Sequence, residues 1–201
     1  VIAAPISSMM SGLTNWLSGM SEAGAVVLGA VLGAMIGFDF GGPVNKVAYT
    51  FGVGLIGEGI LEPMGMIGPA ISVPAVGMGI AAFIARKLYS QEEREAAKAA
   101  IVLGLVTVSE GAIPFAVVDP IRVIVSCSVG GAVAGALAGL MGVTNMAPLG
   151  GVLILPGVGN PLGYVIALVV GSLVTAFLVN FLKRIGRKEE VEKEAASAEA
   201  A

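Results

Sequence analysis

The chain has 201 residues, 56% of them hydrophobic and 12% charged, with a mean hydropathy of +0.94 and a net charge of -3. Soluble domains carry about 25% charged residues, so half that density excludes an ordinary water-soluble globule and points to an all-α membrane protein. A single cysteine, Cys127, excludes an intrachain disulfide or a thiolate metal cluster. The lack of histidine removes the commonest general base, metal ligand and phosphohistidine relay. No metal, cofactor or nucleic acid is expected. The 30 glycines suit helices that pack backbone to backbone in lipid, where apolar burial no longer drives association.

In chain order, residues 1–22 place Ile6, Met9, Met10, Leu13, Trp16 and Leu17 at roughly helical spacing. They read as an interfacial amphipathic segment or the end of a preceding span. The transmembrane domain is expected over 23–183. Ala23–Phe38 is uncharged and ends at Asp39-Phe40-Gly41-Gly42-Pro43. Such a break is tolerable only where backbone is buried in protein or lines a wet cavity. Val44–Glu62 is apolar but interrupted by Lys46, Glu58 and four glycines. Met64–Ala85 runs uncharged through Pro69 and Pro74, long enough to span. A polar loop, Arg86–Lys98, precedes Ala99–Val118, whose centre is broken by Ser109-Glu110-Gly111. No charge occurs from Val123 to Leu182, which holds two spans, Val123–Val143 and Pro161–Leu182, around a Gly/Pro-rich stretch. About five transmembrane helices plus re-entrant hairpin segments are expected. Residues 184–201 form a charged tail expected to be solvated and disordered.

The Arg86–Lys98 loop and the Lys183–Lys193 tail hold nine of the eleven basic residues. The positive-inside rule places both in the cytoplasm. Three apolar segments lie between them, and an odd number cannot return the chain to the same side. Either one segment is re-entrant, with the broken Ala99–Val118 the first candidate, or Thr144–Asn160 adds a crossing.

Two stretches carry chemistry. One is Gly37-Phe38-Asp39-Phe40-Gly41-Gly42-Pro43-Val44-Asn45-Lys46; the other is Ser109-Glu110-Gly111-Ala112-Ile113-Pro114-Phe115-Ala116, followed by Asp119-Pro120. Each sets an ionisable residue beside Gly and Pro inside apolar sequence, the pattern of discontinuous helices that build a midplane binding site. Glu110 is expected to contact substrate and to act as a base. Asn45, Lys46 and Asp39 are the further candidate binding residues, although Asp39 can equally pair with Lys46, and Glu110 with Arg122. Asp119 and Arg122, three apart, are expected to form an ion pair. Cys127, between serines, reads as a small packing residue.

The GGPVNK and SEGAIPFA runs, the following DP and the later LPGVGNP stretch resemble the fructose family of enzyme IIC, the membrane component of the bacterial phosphotransferase system. The resemblance covers nearly the whole chain. It implies a permease in a bacterial or archaeal cell membrane that binds fructose or a related hexose. The sugar would be phosphorylated by the phosphocysteine of a partner IIB domain on another chain. It also implies a homodimer, and an N-terminal half of the membrane domain that this sequence lacks, so that the chain reads as the later part of a longer protein. Two other functions fit the residues alone: an ion-coupled secondary transporter using Asp39, Glu110 and Lys46, and a non-transporting membrane scaffold.

Overall fold

The computed structural model describes residues 22–148 and 151–199, with side chains from 24 to 148 and from 151 to 186. The expected amphipathic segment, Trp16 included, lies outside the described residues. Within them the chain forms seven α-helices: α1 (Glu22–Phe38), α2 (Pro43–Ile56), α3 (Glu62–Ile84), α4 (Gln91–Leu105), α5 (Ile113–Val118), α6 (Pro120–Leu140) and α7 (Pro161–Glu199). Short 3-10 segments cover Arg86–Leu88, Ser109–Ala112 and Gly151–Gly157. Among the described residues three helices, not five, are long and apolar enough to cross a membrane: α3, α6 and α7 over Pro161–Gly186. The glycines and prolines that interrupt the other apolar stretches cut them into pieces too short to span.

The central element is α3, 83% buried within the fold against 44% for the spanning parts of α6 and α7. Its neighbours are held by close backbone approach. A Cβ on Gly77 would lie 2.7 Å from the Thr175 Cβ of α7, and one on Gly79 would lie 2.8 Å from the Ala97 carbonyl of α4. The α1–α6 pair is closer still. Side chains on Gly29, Gly33 and Gly37 would collide with the carbonyls of Gly135, Gly131 and Cys127 in turn. That series runs in opposite directions along the two helices, so they are antiparallel. Cys127 is fully buried beside Gly37, as its packing role required.

Two ends of the fold can be told apart. At one, here the basic end, Lys183 reaches Glu93 at 3.4 Å and Asp119 at 3.9 Å, and Asp119 also pairs with Arg122 at 3.0 Å. The tyrosine hydroxyl of Tyr89 donates to Asn180 at 2.8 Å, and the Asn180 amide donates to the Ala81 carbonyl at 3.1 Å. The two basic segments therefore share one end, and the Asp119–Arg122 pair forms. At the far end, the Asn145 amide donates to the Leu61 carbonyl at 3.2 Å, and a Cβ on Gly139 would lie 2.6 Å from the Ala25 carbonyl.

The segment from Thr144 to Asn160 does not cross. Its Gly159 amide donates to the Thr144 carbonyl at 3.0 Å, and Asn145 bridges Val158, so both ends of the stretch stay at the far end. Asn160 fastens it, donating to the Met141 carbonyl at 2.8 Å and accepting from the Gly163 amide at 3.0 Å. After the last apolar turn, α7 continues as helix to Glu199, where a disordered tail was expected. The physical reason is propensity: Arg, Lys, Glu and Ala are strong helix formers, and a span already formed supplies the nucleus.

Candidate functional site

The Asp39–Pro43 break is a built turn. Phe40 has φ 47° and Gly41 φ 96°, a reversal that puts Pro43 at the first position of α2. Proline there costs no hydrogen bond, because that N–H would have no helical partner. Asp39 then caps α2 from the preceding turn. Its two carboxylate oxygens accept from the Val44 amide at 2.7 Å and the Asn45 amide at 2.9 Å. A negative group beside a helix N-terminus is stabilised by the unpaired N–H groups and the helix dipole. The buried Asn45 side chain donates to the Ile36 carbonyl at 2.8 Å, tying α2 back to α1.

The second break lies between α4 and α5. Here α4 starts at a capping box: the Ser90 hydroxyl accepts from the Glu93 amide at 3.2 Å, and the Glu93 carboxylate accepts from the Ser90 amide at 2.8 Å. The helix ends at Leu105. Thr107 follows with φ 62°, and the chain turns through Ser109–Ala112 into α5. Gly111 lies against the middle of α3, where an added Cβ would be 3.0 Å from the Ala75 Cβ.

The two breaks meet. A Cβ on Gly41 would lie 2.5 Å from Glu110 Oε1 and 3.0 Å from its carboxyl carbon. Beneath that contact, Phe40 shares a buried apolar cluster with Ala112, Phe115 and Cys127. Phe40 and Thr107 are also the two non-glycine residues with positive φ among those described, one at each break. Backbone held in such sparsely populated regions costs of order 1–3 kcal/mol per residue and concentrates at functional sites.

Of the four expected site residues, Asp39 and Asn45 are engaged by the chain itself, as cap and tie. Asp39 makes no ion pair with Lys46, because its oxygens are already taken by backbone amides. Lys46 and Glu110 are exposed. Glu110 does not pair with Arg122, whose guanidinium turns to Asp119. The arrangement can therefore present a carboxylate acceptor, a lysine and two stretches of non-helical backbone to a polar, uncharged ligand rich in hydroxyls.

Sequence reasoning missed the polar cluster at the basic end. Lys183 and Glu93 are almost fully buried, and Lys183 Nζ also sits 4.6 Å from the centre of the Tyr89 ring. Burial, and next the Glu93 carboxylate, push the Tyr89 phenol above its ordinary range, which keeps it a donor to Asn180. The Ser90-x-x-Glu93 capping signature was a legible signal that α4 starts ahead of Ala99. Nothing in the sequence pointed to a partner for Lys183 so far back in the chain.

Comparison with known proteins supports the family reading. The chain is 52% identical over 194 residues to the PTS system fructose-specific EIIB'BC component of Vibrio cholerae serotype O1, a match covering 95% of this chain and 33% of that protein. It is 45% identical over 187 residues to the fructose-like permease IIC component 2 of Escherichia coli K12, covering 93% of this chain and 52% of the relative. It is 45% identical over 184 residues to the PTS system fructose-specific EIIC component of Haloferax volcanii, covering 91% and 49%. No family model and no solved structure matches significantly. The chain spans a third to about half the length of these relatives. The chain has three membrane-length apolar helices among the described residues and is similar, over more than nine-tenths of its own length, to part of the fructose-specific and fructose-like membrane components of the phosphotransferase system.

Proposed function

We propose that this chain is the sugar-binding part of a fructose permease whose transport is coupled to phosphorylation by the phosphocysteine of a partner IIB domain. The observation that carries the reading is the meeting of Glu110 with the strained Phe40–Gly41 turn, which puts a carboxylate where two broken helices face each other. The relatives' names supply the sugar and the system.

In this reading α3, α6 and the first part of α7 cross the bilayer, and two hairpins enter and return in place of further crossings. The α1–α2 hairpin enters from the far end. The α4–α5 hairpin enters from the basic end, which its Glu93 and Asp119 both keep through Lys183. Their tips meet beside the middle of α3. Two complete crossings, α6 and α7, then separate the basic segments, which satisfies the parity that the charges demand.

Glu110 accepts hydrogen bonds from sugar hydroxyls and takes the proton of the one that attacks phosphorus. The phosphorus–sulfur bond of the phosphocysteine breaks as the new oxygen–phosphorus bond forms, and the thiolate leaves. Asp39 and Asn45 act as positioning residues for the turn, and Lys46 offsets negative charge near it. Cys127 is fully buried and serves packing, not phosphoryl transfer. The remaining membrane segments of the relatives close the open side of Glu110 and contribute to a homodimer.

The test is Glu110→Gln, made in the chain together with the rest of the membrane component. It keeps size and one acceptor and removes charge and basicity. A lost charge-assisted hydrogen bond is worth about 1.5–3 kcal/mol, so fructose affinity should fall by roughly one to two decades. Phosphorylation should fall by a further ~10²-fold, with membrane abundance unchanged. Normal affinity and normal rate in well-inserted protein would remove Glu110 from the site.

A further inference from the structure

Two cavities adjoin on the outer side of α3, α6 and α7 at the basic end. The first, about 720 Å³, is walled by Val129, Val174, Phe177 and Phe181 and closed by Ile84 and Arg184. The second, about 560 Å³, shares Ile84 and Arg184 and adds Arg86 and Lys87. The apolar walls are not lost core: Ile84 is 53% exposed, Phe177 59% and Phe181 60%. Arg86 and Arg184 form no ion pair with another described residue. Asn180, which borders the first cavity, has its amide and carbonyl committed to Ala81 and Tyr89, so the wall offers no free polar group there. The combined groove is therefore apolar at one end and cationic at the other.

Its length also has a meaning. From Val174 to Arg184 an α-helix rises about 15 Å, half of the ~30 Å hydrocarbon core. A groove that starts at the bilayer midplane and ends in cations at the interface matches one leaflet.

The geometry points to a binding site for an anionic phospholipid of the cytoplasmic leaflet, with an acyl chain against Val129, Val174 and Phe177 and the headgroup phosphate between Arg86 and Arg184. Charge complementarity selects the occupant. An apolar protein segment fills the apolar part but brings no charge, and a zwitterionic lipid offsets its phosphate with its own ammonium, so neither gives the two arginines a net counter-charge. The site depends on the membrane setting and not on the sugar chemistry at Glu110, so the two stand or fall separately.

Native mass spectrometry of the detergent-purified chain tests it, with phosphatidylglycerol and phosphatidylcholine of equal chain length as probes and glycerol phosphate as a chainless competitor. One phosphatidylglycerol should be retained in preference to phosphatidylcholine. The double variant Arg86→Gln/Arg184→Gln should lose about tenfold or more in phosphatidylglycerol affinity. Val129→Trp should weaken both lipids by filling the groove. Arg94→Gln, which removes a cation outside the groove, should change retention less than twofold. Equal retention of the two lipids by the unmodified chain would overturn the proposal. So would retention that survives the double arginine variant in folded protein, or displacement by glycerol phosphate as effective as by the lipid, which would mark a free-anion site.

Discussion

At Gly41 two constraints coincide, a φ of 96° and a carboxylate 2.5 Å from where a Cβ would stand. Gly41→Ala should therefore destabilise the folded protein by about 1–3 kcal/mol through backbone strain alone, with the contact to Glu110 added. Pairing it with Glu110→Ala removes the atoms it would strike and leaves the strain. Unfolding of the single and double variants in detergent should show a favourable coupling of about 0.5 kcal/mol or more. Strictly additive losses would mean that the two breaks do not touch. The presence of both breaks was legible in the sequence, because Gly, Pro and an acid in apolar sequence have few other uses. Their mutual contact was not, since nothing local in either run encodes which distant backbone it faces. The same limit explains Asp39. Its sequence neighbour Lys46 looked like a partner, but the turn brings two backbone amides closer, and these take both oxygens.

Among the elements, α1 and α6 depend on glycine. A side chain at Gly33 would meet the Gly131 carbonyl head on, so Gly33→Leu should force the helices apart and cost at least the ~1–3 kcal/mol of an overpacked core. Thermal unfolding in detergent measures this. An unchanged midpoint would mean that the pair is not packed backbone to backbone. At the basic end, Lys183→Met strands the buried Glu93 carboxylate, and breaking such a pair from one side costs about 3–5 kcal/mol. Replacing both, as Lys183→Met/Glu93→Leu, should recover most of that loss. If the double variant is no more stable than the single, the pair is not the reason for the effect. The spans were readable as uncharged runs, and α3, α6 and the membrane-length part of α7, Pro161–Gly186, fall within a few residues of the expected limits. The start of α4 was signalled by Ser90 and Glu93 but lay in a charged run, and the continuation of α7 was not readable, because both rest on charged residues that hydropathy alone assigns to solvent.

For the whole molecule, the central geometric claim is that 86–98 and 183–193 share the cytoplasmic side while α4 and α5 enter and return. Single cysteines at Gln91 and at Ser197, in a Cys127→Ser background, should both react only with an impermeant thiol reagent supplied from the cytoplasm. Cys127→Ser itself should leave coupled uptake intact, because the thiol is fully buried in an apolar cluster with Phe40 and Phe115. The functional claim is tested most directly by what emerges on the inner side. The chain is reconstituted in vesicles with the remaining membrane segments of its relatives, and phosphorylated IIB is enclosed with labelled fructose outside. Phosphorylated fructose should accumulate inside, in proportion to the phospho-IIB supplied and without any ion gradient. Fructose arriving unmodified, or only when an ion gradient is imposed, would contradict the account and make the chain part of a secondary transporter.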